Sequence, residues 1–205
     1  MTEARVREAI AKHYPDNHET LKRYVDIATT VGVERGLIGP REVSRIWSRH
    51  IANCLALEPL LGEGESVADV GSGAGLPGLV LAIVRPDLQV TLIESLLRRT
   101  TFLSEAVDQL GLADRVRVNR ERAEDCQETF DSVVARAVAP LPKLIGFTAG
   151  LFPAGRLLAL KGESVAEEVA AASRILAKRG LAAEILRVGH DLADEATWVV
   201  SVTKR

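Results

Sequence analysis

Apolar positions recur three and four apart through the first sixty residues and then give way to short continuous runs. In the first part, Leu21, Tyr24, Val25 and Ala28 make one apolar face, which predicts a helix over 16–33 after a first helix over 3–13. Asp16, with Glu19 three positions on, reads as the cap of the second helix. Gly36 and Gly39-Pro40 break the pattern, and helices are expected over 40–47 and 48–61 before Gly62 and Gly64. From Ser66 the rhythm alternates. Strands are expected over 66–70, 89–93, 115–118, 131–135 and 155–160, and helices over 77–84, 96–110, 141–150 and 164–179. Strands separated by helices imply right-handed crossovers and a parallel sheet covered on both faces. Two last strands, 181–189 and 197–203, have no helix between them and read as an antiparallel hairpin. The chain thus divides into a helical N-terminal extension, 1–62, and an α/β domain, 63–205. No Ser/Gly-rich linker separates them, so the extension is expected to pack on the sheet.

Composition narrows this picture. Of 205 residues 47% are hydrophobic and only 4% aromatic, so the core must be built from Leu, Val, Ile and Ala. The net charge of −2 gives no global sign of a nucleic-acid binder, and any such binding must come from a local basic patch. Cys54 and Cys126 stand alone, without metal-ligand spacing, and read as buried reduced thiols with no metal site. The charged N-terminus and the lack of a long apolar run predict a soluble cytoplasmic protein with no membrane contact. No coiled coil or apolar stripe calls for a protein partner, and a monomer is expected.

The densest chemistry lies in Asp69-Val-Gly-Ser-Gly-Ala-Gly-Leu-Pro-Gly78. Gly71, Gly73 and Gly75 allow a tight strand-to-helix loop whose amides are open to a ligand. The same residues satisfy the weak dinucleotide pattern G-x-G-x-x-G, which leaves a nicotinamide or flavin site open. Asp69, two positions before Gly71, shifts the reading to Asp-x-Gly-x-Gly-x-Gly, the pattern of S-adenosylmethionine (SAM) methyltransferases. Glu94, at the end of the second strand, suits the two ribose hydroxyls of an adenosine. Ala123 and Glu124, past the third strand, are placed against the adenine. Arg136 ends the fourth strand where many amino-methylating enzymes carry an Asn/Asp-Pro-Pro-Tyr/Phe motif, and that motif is absent. An arginine there points to an anion, either the methionine carboxylate of the cofactor or a substrate phosphate. Lys161 ends the fifth strand on the same edge. The fold class expected is therefore a class I SAM-dependent methyltransferase: Rossmann-like, with a seven-stranded, mostly parallel sheet closed by the C-terminal hairpin.

Taken with Arg85-Pro86, Glu94-Ser95, Arg98-Arg99, Ala135-Arg136-Ala137, Ala159-Leu-Lys-Gly162 and the upstream Arg49-His50-Ile51, the loop resembles one family. This is the bacterial 16S ribosomal RNA guanine-N7 methyltransferase family, RsmG, also called glucose-inhibited division protein B. The resemblance spans roughly 40–165 and departs at Gly36–Pro40, where the family often has Asn-Leu-Thr, and at Asn53, where it often has Asp. It implies methyl transfer from SAM to N7 of a guanine at position 527 of 16S rRNA, with the rRNA or the 30S subunit as partner. It assigns Gly71, Leu76, Ala123, Glu124 and Arg136 to the cofactor. Arg136 and Lys161 are then the candidates for holding the target nucleotide. RNA contact is expected from Arg45, Arg49 and His50 at the helical junction and from Arg98 and Arg99 after Glu94. Trp47 reads as core before it reads as a stacking platform. Two other readings stay open: an NAD(P)-dependent oxidoreductase using the same loop, and a SAM-binding ribosome-assembly factor without catalysis.

Overall fold

The computed structural model describes residues 1–188, 192 and 197–205. Helices α1 (Glu3–His13), α2 (His18–Thr29) and α3 (Val31–Glu34) open the chain. A 3-10 turn (Pro40–Arg45), a π-helical turn (Ile46–Ile51), helix α4 (Ala52–Leu55) and a further 3-10 turn (Glu58–Leu60) follow. The two helices expected over 40–61 are thus a string of short turns of different pitch. Winding the backbone this way turns Ile46, Trp47, His50 and Ile51 inward together.

The cap of α2 also differs from the expected capping box. Asn17, not Asp16, stands at the boundary and makes no side-chain cap. Its amide instead donates to the Ile83 carbonyl at 2.8 Å, tethering α2 to the α/β domain. Tertiary bonding has won over the local cap.

The remaining elements are β1 (Ser66–Val70), α5 (Gly78–Val84), β2 (Gln89–Ile93), α6 (Leu97–Leu110), β3 (Val116–Asn119) and β4 (Ser132–Arg136). Then come α7 (Leu141–Thr148), β5 (Arg156–Lys161), α8 (Val165–Arg179), β6 (Leu181–Val188) and β7 (Thr197–Lys204). Gly189, expected to end the sixth strand, and most of the joining segment lie outside the described residues. The strands form one seven-stranded sheet in the order β3-β2-β1-β4-β5-β7-β6. β3 to β5 are parallel, and β7 inserts antiparallel between β5 and β6. The sheet is the one its sequence pattern predicted.

Alternate residues of the strands point to opposite faces. Val67, Leu92, Val134, Leu158 and Val199 face a core shared with α2, α4, α5 and α6. Ala68, Ile93, Val133, Leu157 and Val200 face a second core with α7 and α8. The first core runs without a break from Val6 and Ile10 of α1 to the sheet, so the extension buries its apolar face on the α/β domain. Arg85 staples the junction. Its guanidinium meets Glu58, Asp87 and the carbonyls of Leu61 and Gly62. Among the described residues no helix is long and apolar enough to cross a membrane.

Candidate active site

β1 and β4 are neighbours, yet the chain leaves β1 toward one side of the sheet and β4 toward the other. Between such strands the C-terminal ends splay apart and open a crevice. The glycine loop sits there. Gly71, Gly73 and Gly75 all hold positive φ, between 57° and 92°. At Gly75 a Cβ would also overlap Leu79, with 2.4 Å to its nearest atom. At Gly78 it would come within 2.7 Å of an Asp69 carboxylate oxygen and 2.5 Å of Leu92. The lack of a side chain at Gly78 is what lets α5 start directly against the end of β1.

Asp69 closes the loop from below. It is fully buried, and its Oδ2 accepts the Gly78 N–H at 2.9 Å. The Ser72 hydroxyl donates to its backbone carbonyl at 2.8 Å. Oδ1 has no partner within the chain. Burial pushes the Asp69 carboxyl up to about 7, against the lowering effect of the Gly78 bond. Tyr24 of α2 holds the loop from the other side, its buried hydroxyl donating to the Ala74 carbonyl at 2.9 Å. Burial raises the Tyr24 phenol far above its ordinary range, so it stays a donor.

Glu94 lies just past β2, at 4% exposure. It accepts from the N–H of Gly73 (3.2 Å) and Leu96 (3.0 Å) and pairs with Arg99 (3.2 Å). The glycine loop and Glu94 are therefore in contact. The loop amides expected to be open to a ligand are instead bonded within the chain, because the tight turn uses them itself: Gly71 donates to the Ile93 carbonyl, Gly73 to Glu94, and Gly75 and Leu76 to the Ser72 carbonyl. What remains fits a nucleoside: an acceptor pair for vicinal hydroxyls and a buried carboxylate oxygen still lacking a donor. Ala123 is buried and Glu124 exposed on the turn after β3, where Glu124 lies 3.6 Å from Arg122. Leu76 is buried at the end of the loop.

Arg136, at the end of β4, reaches into the extension. Its guanidinium donates to Nδ1 of His50 (2.7 Å), to the Arg49 carbonyl (3.4 Å) and to Sγ of Cys54 (3.8 Å). His50 Nε2 meets Glu42 at 2.7 Å. His50 is thus turned into the interior between an acid and a guanidinium. Burial first, and then the Arg136 charge, hold its pKa below the usual value. Burial also pushes the Cys54 thiol up to about 11, so it stays neutral beside Arg136. Lys161 is shielded as well, paired with Glu168 at 2.7 Å and donating to the Ala139 carbonyl at 2.9 Å.

Arg136 and Lys161 line one recess of about 570 Å³ with Val138, Asn53 and Thr197. The Asn53 carbonyl oxygen accepts from the Thr197 hydroxyl at 3.1 Å. Arg45 and Arg49 line an adjoining recess, Arg98 is exposed at the start of α6, and Arg99 is committed to Glu94. Trp47 is buried, with His18 stacked at 5.9 Å and Arg7 over its ring at 5.8 Å. Sequence reasoning missed Glu42, Asn53, Tyr24 and Thr197 as parts of this region. Tyr24 carried only the signal of an apolar helix face, Asn53 only that of a departure from the family pattern, and Glu42 and Thr197 carried none.

A family model described as rRNA small subunit methyltransferase G matches residues 17–193. The chain belongs to this family. It is similar to ribosomal RNA small subunit methyltransferase G of Thermobifida fusca (strain YX), at 55% identity over 89% of the chain and 78% of the relative. The corresponding protein of Arthrobacter sp. (strain FB24) is 48% identical over 98% of the chain and 93% of the relative. Among solved structures, ribosomal protein L11 methylase from Lactobacillus delbrueckii subsp. bulgaricus superposes with a TM-score of 0.57 at 17% identity, covering 75% of this chain and 76% of that one. The mitomycin 7-O-methyltransferase MmcR gives 0.60 at 16% identity, covering 76% of this chain and 54% of that one. Those two likenesses establish the class I methyltransferase fold, and family membership rests on the family model and the sequence relatives.

Proposed function

We propose that this member of the family is a SAM-dependent 16S rRNA methyltransferase that acts at guanine N7, at position 527, as a cytoplasmic monomer. One observation carries the reading. The glycine loop and Glu94 are in contact at the C-terminal ends of β1 and β2, in a chain whose relatives carry the methyltransferase name. Gly71, Gly73, Gly75 and Leu76 cradle the amino-acid tail, and Glu94 accepts the ribose hydroxyls. Asp69 Oδ1 takes a donor from the ammonium side, and the Ala123–Glu124 turn borders the adenine.

When bound, SAM would supply a sulfonium-activated methyl group for the N7 lone pair, with the thioether sulfur as leaving group. Guanine N7 carries no proton, so the chain needs no general base there. What its residues must do is hold the base in line at near-attack distance. Arg136 and Lys161, which line the recess, are assigned to the target nucleotide through phosphate or O6, Lys161 with the one N–H that Glu168 and the Ala139 carbonyl leave over. Arg45, Arg49 and Arg98 supply cations around the mouth, while Arg99, expected to join them, is taken up by Glu94. His50 serves through Arg136 rather than by touching RNA.

The test is methyl transfer to 30S subunits from cells lacking the enzyme, with the modified nucleotide mapped. Labelled methyl at guanine N7 is the expected result. Tight NADH binding with no SAM binding would overturn the reading in favour of an oxidoreductase, and SAM binding without transfer would leave only an assembly factor.

A further inference from the structure

The recess lined by Arg136 and Lys161 does not end there. Arg49, Asn53, Lys161, Gly162 and Thr197 line it and also line a second recess of about 1150 Å³. The two are one cleft. Its far end lies between the start of α1, the 40–51 turns and the C-terminal hairpin, where Arg187 of β6 and Trp198 of β7 stand side by side in register. The Arg187 guanidinium lies 5.6 Å from the Trp198 ring centroid. Arg187 is exposed and Trp198 half-buried.

Charge around this second recess is uneven. Glu3 lines it but spends both carboxylate oxygens on the Trp47 and Ser48 amides, at 3.0 and 3.1 Å. Lys161 is neutralised by Glu168. Among the described residues neither Arg45 nor Arg187 is in an ion pair, and Arg49 lies 3.6 Å from Glu42. Among the described residues lining the recess, Arg45 and Arg187 therefore carry unpaired charge, Arg49 shares its charge with Glu42, and Glu163 is the one carboxylate not already bonded.

We propose that this second recess is the channel for the single-stranded rRNA segment flanking the target guanine, with Trp198 and Arg187 as its stacking shelf. The assignment rests on the rRNA methyltransferase reading. The base to be methylated enters beside Arg136, and the strand continues past Asn53 and Thr197 to the hairpin. An aromatic ring gives every base a surface to stack on without reading its identity. A guanidinium beside it stacks in the same way and meets a phosphate. Arg45 and Arg49 on the opposite wall take further phosphates. Single-stranded RNA suits this site better than duplex, because unstacked bases are what an aromatic shelf can hold.

The test measures affinity for unmethylated 30S subunits across a salt series, and SAM affinity alongside, for wild type and variants. Arg187→Gln is expected to weaken 30S binding about three- to tenfold and lower the salt slope by about one. Trp198→Ala is expected to weaken it about tenfold, with Trp198→Phe staying within about threefold of wild type because a ring is retained. SAM affinity is unchanged in all three. Arg174→Gln, on the exposed side of α8, is the control and leaves 30S binding unchanged. Equal behaviour of Arg187→Gln and Arg174→Gln would overturn the proposal. So would an ultraviolet cross-link from Trp198 that lands on a ribosomal protein instead of rRNA. Wild type that methylates 30S normally while these variants bind as it does overturns the channel alone. Wild type that binds SAM but neither binds nor methylates 30S overturns the enzyme reading itself.

Discussion

Nη2 of Arg136 stands 2.7 Å from Nδ1 of His50. A guanidinium can only donate, so Nδ1 must carry its lone pair there, and the ring proton sits on Nε2, 2.7 Å from Glu42. One neutral tautomer satisfies both contacts. Through it the 40–45 turn of the extension is joined to the end of β4, the strand that borders the crevice.

This pair makes stability depend on pH. The folded His50 pKa is held below its ordinary value, so the unfolded chain binds the proton more readily. The contribution is full above about 6.5 and is lost as pH falls from there toward the folded pKa. Protonation would also place two cations face to face. Thermal unfolding is expected to show Tm falling between pH 7.5 and 5.5, and His50→Asn, which keeps an acceptor without the titration, to flatten that limb.

Asp69 has the opposite sign. Its carboxyl is raised to about 7, so the ligand-free fold favours the protonated form, and that stabilisation is lost as pH rises through about 7. At about 1.4 kcal/mol per pKa unit the loss is a few kcal/mol at most. Asp69→Asn is expected to lose less stability than wild type between pH 5 and 8 in chemical denaturation, while weakening SAM binding in calorimetry.

Arg136→Ala and Lys161→Ala are expected to lower the single-turnover methylation rate at least tenfold, more than they weaken SAM binding. Rapid-quench methylation and calorimetry on the same preparations separate the two effects. Weaker SAM binding with an unchanged single-turnover rate would move Arg136 to the cofactor tail.

Gly78→Ala places a methyl within 2.7 Å of the Asp69 carboxylate and 2.5 Å of Leu92. Overpacking of this kind costs about 1–3 kcal/mol, read from urea unfolding. Tyr24→Phe, which leaves the buried Ala74 carbonyl without its donor, is expected to cost about 1–3 kcal/mol and weaken SAM binding by loosening the loop.

Arg85→Ala is expected to destabilise the whole chain by about 3 kcal/mol, because Glu58 and the Leu61 and Gly62 carbonyls lose one shared donor. Arg85→Lys should recover only part of it, since one ammonium cannot serve the fork of partners. Equilibrium unfolding of both variants decides this.

The order of strands and helices was readable from residue 66 onward because a buried parallel sheet leaves a local mark: short apolar runs between amphipathic stretches. The glycine loop was equally readable, since positive φ at Gly71, Gly73 and Gly75 is a local demand that few other residues meet. Glu94 followed from its place at a strand end. The region 40–61 was not readable, because its pitch changes from turn to turn to satisfy distant partners, as Glu3 does for the Trp47 and Ser48 amides. His50 and Arg136 lie 86 positions apart, and no periodicity connects them. The same holds for Asn53 and Thr197, and for Arg187 beside Trp198, which only the hairpin register brings together. Local backbone preference and apolar spacing are written residue by residue, so the sequence alone determined the sheet, its helices and the glycine loop. Charge pairing and cleft walls depend on which segments end up adjacent, and the tertiary structure alone decided those.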